Sequence, residues 1–152
     1  MIPEMNDGVL PVGIHTCTFE EIENNFGRFD RTDKRPRLTE SLRRYVTDAR
    51  NSGIASAVIV DGSYITQKPE PSDIDLILAL RADFDLAQEL RPFEYNIQSK
   101  RMVKRLYGFD VLPALDGSVA YDRYVSDFSR VRLDDAEQTT NQRHKGLLRI
   151  EL

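Results

Sequence analysis

The chain has 152 residues, 40% of them apolar and 30% charged, with a formal net charge of −4. This is the balance of a soluble globular chain with one core, expected to form a single domain over 1–152; the length leaves no room for a catalytic domain plus a separate substrate domain, and no apolar stretch approaches the roughly 18 to 20 residues that span a bilayer. The mildly acidic whole does not advertise nucleic-acid binding by the surface at large, and any such binding needs a local basic patch.

The start, MIPEMNDGVLPVGIH, lacks the basic and apolar regions of a secretory leader, and Cys17 is the single cysteine, so a reducing cytoplasm is the expected compartment. Residues 1–17 carry Pro3, Gly8, Pro11 and Gly13 and read as an extended N-terminal arm. Thr18 stands three residues before Glu21, a capping box that predicts a short helix ending near Gly27. From Pro36 to Asn51, Leu38, Leu42, Tyr45, Val46 and Ala49 recur at three- and four-residue steps, which predicts a helix with one apolar face and Gly53 as its stop.

IASAVIV, 54–60, is short, apolar and rich in β-branched residues, as a buried strand is, and DIDLILAL, 73–80, reads as another. A short helix near 84–90 and a longer one near 93–106 are expected next. GFDVLPAL, 108–115, reads as a third strand stopped by Pro113. A helix over 118–129, a mobile loop over 132–146 and a possible edge strand, LLRIEL, complete the chain. Alternating helices and strands imply an α/β or α+β fold, a small mixed sheet flanked by helices.

The chemistry gathers in DGSYITQKPEPSDIDLIL, 61–78. Alternation along a strand puts Asp73 and Asp75 on one side with Cα atoms about 6.6 to 6.8 Å apart. Two like charges there call for cations, and Mg²⁺ suits hard carboxylate oxygens combined with substrate phosphates. Gly62 permits close backbone approach to a ligand, Ser63 adds a hydroxyl donor, and Lys68 is a point charge within reach of a phosphate, although an exposed loop lysine is the simpler reading of it.

Gly62-Ser63, a nine-residue spacer and Asp73-Ile74-Asp75-Leu76 resemble the signature of the nucleotidyltransferase superfamily, the DNA polymerase β-like fold. Asp61 departs from it, standing where that pattern has an apolar residue. The resemblance implies a third carboxylate on a later strand, for which Asp110 in GFDVL is the candidate. By that resemblance Asp73, Asp75 and Asp110 would hold two Mg²⁺ ions, or Mn²⁺, Asp110 would help to deprotonate the acceptor, and Gly62-Ser63 would hold the triphosphate of an NTP such as ATP. LPVGIHTCTFEEIENNFG, DGSYITQKPEPSDIDL and KGLLRIEL are also similar to a family of short, uncharacterised, mainly bacterial nucleotidyltransferase-like proteins, over nearly the whole chain.

The expected activity is transfer of a nucleoside monophosphate from an NTP to a hydroxyl of a protein, RNA or small molecule. The alternative is a catalytically inactive module of the same fold that binds a nucleotide or a partner. A homodimer or partner protein could complete the cleft, as in toxin-antitoxin pairs of minimal nucleotidyltransferases. Lys100, Arg101, Lys104 and Arg105 offer a basic helix face that is most simply solvated. Tyr64 is a candidate for base stacking or for packing beside the turn. His15 and His144 have no ligand-spaced partner in the sequence, and Cys17 reads as a small buried residue.

Overall fold

A computed structural model describes residues 1–130 and 144–152. The elements are β1 (Ile14–Cys17), α1 (Phe19–Phe26), α2 (Lys34–Ser52), β2 (Ala55–Asp61), a 3₁₀ turn over Ser63–Ile65, β3 (Asp75–Leu80), α3 (Pro92–Gln98), α4 (Lys100–Tyr107), β4 (Asp110–Leu115), α5 (Val119–Phe128) and β5 (Leu147–Glu151). The five strands form one sheet in the order β1-β5-β2-β3-β4. β1 is parallel to β5 and β3 to β4, while β2 runs antiparallel to both β5 and β3. The expected mixed sheet with flanking helices is the architecture found.

Each strand divides its apolar residues between two layers, because successive side chains point to opposite faces. Val58, Val60, Leu76, Leu78, Val111, Leu148 and Ile150 pack against the layer of α1 to α4, where Ile22, Leu42, Tyr45, Ile97 and Val103 are buried. Ala57, Ile59, Ile77, Ala79, Ala114 and Leu147 face the other way and pack with Tyr121 of α5. Side chains in the register of Ile59 and Ile77 therefore lie on the α5 face.

The local signals explain most boundaries. The amide of Glu21 donates to Thr18 Oγ1 at 3.1 Å and the Thr18 amide to Glu21 Oε2 at 2.9 Å, the capping box expected at the start of α1. α2 ends at Gly53, whose φ of 69° closes the helix in the left-handed region that a residue with a Cβ resists.

Four expectations are corrected. Residues 84–90 form turns, not a helix: the Ala87 amide donates to the Asp85 carboxylate at 2.9 Å and the Gln88 amide to the Asp85 carbonyl at 3.0 Å, so Asp85 diverts backbone donors from helix bonding. The helix expected over 93–106 is broken at Ser99, which ends α3 with ψ of 124° and caps α4 by accepting from the Met102 amide. Pro113 does not stop β4; it lies opposite Leu78 within an edge strand, the place in a sheet where a missing N–H is tolerated. LLRIEL is not at an edge: β5 lies between β1 and β2, with Leu147 buried on one face and Leu148 and Ile150 on the other.

Ile14–Cys17, the last part of the expected arm, form β1 at the sheet edge. Of the loop expected over 132–146, residues 132–143 lie outside the described residues.

Candidate functional site

The cleft forms where β2 ends and β3 begins. β2 and β3 are antiparallel with Asp61 opposite Asp75, and β3 and β4 are parallel with Asp75 opposite Asp110. Residues opposite each other on neighbouring strands project from the same face, and adjacent strands lie about 4.8 Å apart. Asp61, Asp75 and Asp110 thus make a row across three strands on the α5 face. A cleft of about 540 Å³ opens over the row, lined also by Gly62, Ser63, Lys68 and Asp73 on the side of the connecting loop and by Asp127, Arg130 and Lys145 at the end of α5. All six residues named as candidates from the sequence, Gly62, Ser63, Lys68, Asp73, Asp75 and Asp110, line this one cleft.

Their individual settings differ. Gly62 has φ of +100°, and a Cβ there would stand 2.7 Å from the Asp73 carbonyl oxygen and 3.1 Å from the Asp75 amide nitrogen. The glycine is thus required by the entry of β3, which crosses against its backbone. Ser63 is a hub: its amide donates to Asp73 Oδ1 at 3.0 Å, its hydroxyl donates to the same oxygen, and its Oγ accepts from the Ser72 amide at 3.0 Å. The donors expected to meet a triphosphate are therefore engaged by the chain's own Asp73 carboxylate. Burial opposes ionisation of Asp73, but the Ser63 hydroxyl and amide, with Lys145 and Lys68 further off, hold its carboxyl below the ordinary value.

At the closed end of the row, Asp61 is buried, and Lys145 Nζ lies 2.7 Å from its Oδ1, the two side chains being 15% and 7% exposed for lysine and aspartate. Burial pushes the Asp61 carboxyl up, while Lys145 and the Gly62 amide draw it back. At the open end, Asp110 and Lys104 are 3.8 Å apart and both largely exposed.

The loop that carries this constellation is fastened from below by Arg35, a residue the sequence did not single out. Its buried guanidinium donates to the carbonyls of Phe26 and Tyr64 at 3.2 and 2.8 Å and to those of Thr66 and Lys68 at 2.8 and 2.5 Å. The signal was absent because the four acceptors are backbone atoms. Tyr64 packs beside the turn: it is fully buried, shares a hydrogen bond with Thr39 Oγ1, and has the Arg35 guanidinium 5.8 Å from its ring centre, so it offers no face to a base.

A family model described as a family of unknown function, DUF6932, matches residues 3–151. The chain belongs to that family. No curated protein and no solved structure matches it. Membership of DUF6932 carries no chemistry of its own, so what this member can bind must be read from its cleft.

The donor set of the row is carboxylate oxygen, the type preferred by Mg²⁺ and Mn²⁺. Asp75 and Asp110, flush on adjacent strands, fit one such ion by register, and a Mg²⁺ site normally needs only one or two carboxylates when phosphates complete it. Among the described residues no group of three or more His, Cys, Asp or Glu is disposed to hold an ion, consistent with Asp73 being turned to Ser63. Elsewhere, His15 Nε2 donates to the Pro11 carbonyl at 2.7 Å, and Lys100, Arg101, Lys104 and Arg105 are exposed. Cys17 is buried, which pushes its thiol up to about 12. Among the described residues, no helix is long and apolar enough to cross a membrane.

Proposed function

We propose that this protein is a metal-dependent nucleotidyltransferase that moves a nucleoside monophosphate from an NTP to an acceptor hydroxyl. The observation that carries the reading is the row Asp61–Asp75–Asp110, set in register across three strands beside the Gly62-Ser63 turn and opening into one cleft with Lys68. Asp75 and Asp110 would hold the divalent ion, with Asp73 next to them, and the ion would supply charge screening for the phosphate oxygens.

The chain's own groups do the rest. Lys68, exposed on the cleft wall, contacts the triphosphate as a point charge. Asp110, at the open edge of the sheet, accepts the proton of the acceptor hydroxyl. The acceptor oxygen forms a bond to the α-phosphorus, the bond from that phosphorus to the bridging oxygen breaks, and pyrophosphate leaves. A second copy of the chain or a partner protein supplies the wall that recognises the acceptor.

A second reading has its own support: Ser63 is already satisfied by Asp73, as suits a nucleotide-binding or partner-binding module without turnover. Incubation with labelled NTPs, Mg²⁺ and candidate acceptors separates the two. Transfer abolished by Asp75→Ala or by Asp110→Ala is the result expected of the enzyme. Mg²⁺-dependent NTP binding in calorimetry without product identifies the module. Transfer that persists in the Asp73→Ala, Asp75→Ala double variant overturns the assignment.

A further inference from the structure

We propose that Lys145 is a resident cation of the acidic row, standing where a second metal ion would otherwise sit beside Asp61, so that the cleft binds one divalent ion and not two. The inference rests on the metal-dependent reading above.

Asp61 occupies a position where the resembled signature has an apolar residue, yet its register sets it flush with Asp75 on the face that opens into the cleft. A carboxylate so placed and only 7% exposed needs a counter-charge, because an unpaired buried charge is strongly unfavourable. Lys145 meets that need at 2.7 Å. Its backbone is fixed on both sides: its amide donates to the Ser129 carbonyl at the end of α5 at 2.7 Å, and the next amide, of Gly146, donates to the Leu10 carbonyl at 2.9 Å. Gly146 is pressed so closely on the N-terminal arm that a Cβ would lie 2.0 Å from the Pro11 carbonyl oxygen. The backbone that carries the ammonium is therefore held in place, and the side chain, 15% exposed, lies against Asp61, unlike that of a surface lysine searching solvent.

The row is asymmetric as a result. At the Asp110 end the lysine neighbour, Lys104, is 60% exposed and 3.8 Å away, a loose pair that a divalent ion displaces readily. At the Asp61 end an incoming ion has to compete with a half-buried ammonium already in contact. One end takes a metal and the other keeps its lysine.

The test is a titration with Mn²⁺ alone, following the free ion by electron paramagnetic resonance, with circular dichroism to establish that each variant is folded. The wild-type protein is expected to bind one ion. Lys145→Met is expected to bind a second ion, or to bind the first about tenfold more tightly, since a fixed positive charge has been taken from the row. Should Lys145→Met fail to fold, Asp61→Asn and the Asp61→Asn, Lys145→Met pair carry the test, because neither leaves a buried carboxylate unpaired. Asp61→Asn, which releases the ammonium toward Asp75, is expected to weaken Mn²⁺ about tenfold, and the double variant to return to wild-type affinity within about threefold. Two ions on the wild-type protein, or variants indistinguishable from it, overturn the inference and leave the metal reading intact. No Mn²⁺ bound by any variant overturns that reading, and the inference with it.

Discussion

Arg35 gives the most direct test of how the cleft is held. In Arg35→Met the stem is kept and the guanidinium removed, which strips the donor from four carbonyls. The two bonds to Phe26 and Tyr64 are buried, and their acceptors have no water to turn to; each loss costs about 1 to 2 kcal/mol. The Thr66 and Lys68 carbonyls are only partly buried and recover much of theirs from solvent. The sum is about 3 kcal/mol, a large share of the roughly 5 to 15 kcal/mol by which a domain is stable. Urea denaturation should show the midpoint falling at unchanged slope, and the melting temperature should drop by about 6 to 12 °C. Arg35→Lys should recover little, since one ammonium does not serve four acceptors in a fork. A loss below about 0.5 kcal/mol for Arg35→Met, within the range of an ordinary surface substitution, would refute the reasoning.

Two further outcomes concern the sheet. Gly62→Ala is expected to cost about 2 to 4 kcal/mol in urea denaturation, because the added Cβ meets the Asp73 carbonyl oxygen at 2.7 Å in a backbone at φ of +100°; a wild-type midpoint would show that β3 can shift aside without penalty. At the opposite end of the sheet from the cleft, the Arg149 guanidinium donates to both Asp116 oxygens at 2.9 and 2.8 Å, and Ser56 donates to the second at 2.7 Å, so the Asp116 carboxyl is held below its ordinary 3.8. A carboxyl depressed on folding contributes stability that is complete above its unfolded value and is lost as pH falls through the folded one. Melting temperatures should therefore decline as pH drops below 3.8, and Asp116→Asn should flatten that decline; an unchanged slope in the variant would place the acid sensitivity elsewhere.

The parts legible in the sequence are those with a local cause. The capping box at Thr18, the apolar stripe of α2 and the alternation in 73–80 each act within a few residues, and each element formed near its expected bounds. What escaped was settled by side chains that compete for nearby amides or by partners far off in the chain. Asp85 and Ser99 gave their side chains to nearby amides, where propensity alone suggested helix. The central place of β5 depends on its neighbours, although LLRIEL carried a hint, since leucines at 147 and 148 require burial on both faces. The spacing of Gly62-Ser63 and Asp73-Ile74-Asp75 located the cleft, but not that Ser63 bonds to Asp73, nor that Asp61 joins the row. Lys145, which reaches that row from β5's side of the sheet, had no sequence neighbour to announce it.

The placement of β5 bears on how the molecule assembles. Among the described residues β1 pairs with the rest of the sheet through β5, and β5 comes far later in the chain, so β1 docks by that pairing once the late strand has found β2. Closing so long a loop is slow compared with forming the neighbouring helices. Pulse-labelled amides in 14–17 should acquire protection in step with those of 147–151 and behind those of β2 and β3, which makes the ordering of the first strand a clock for completion of the whole.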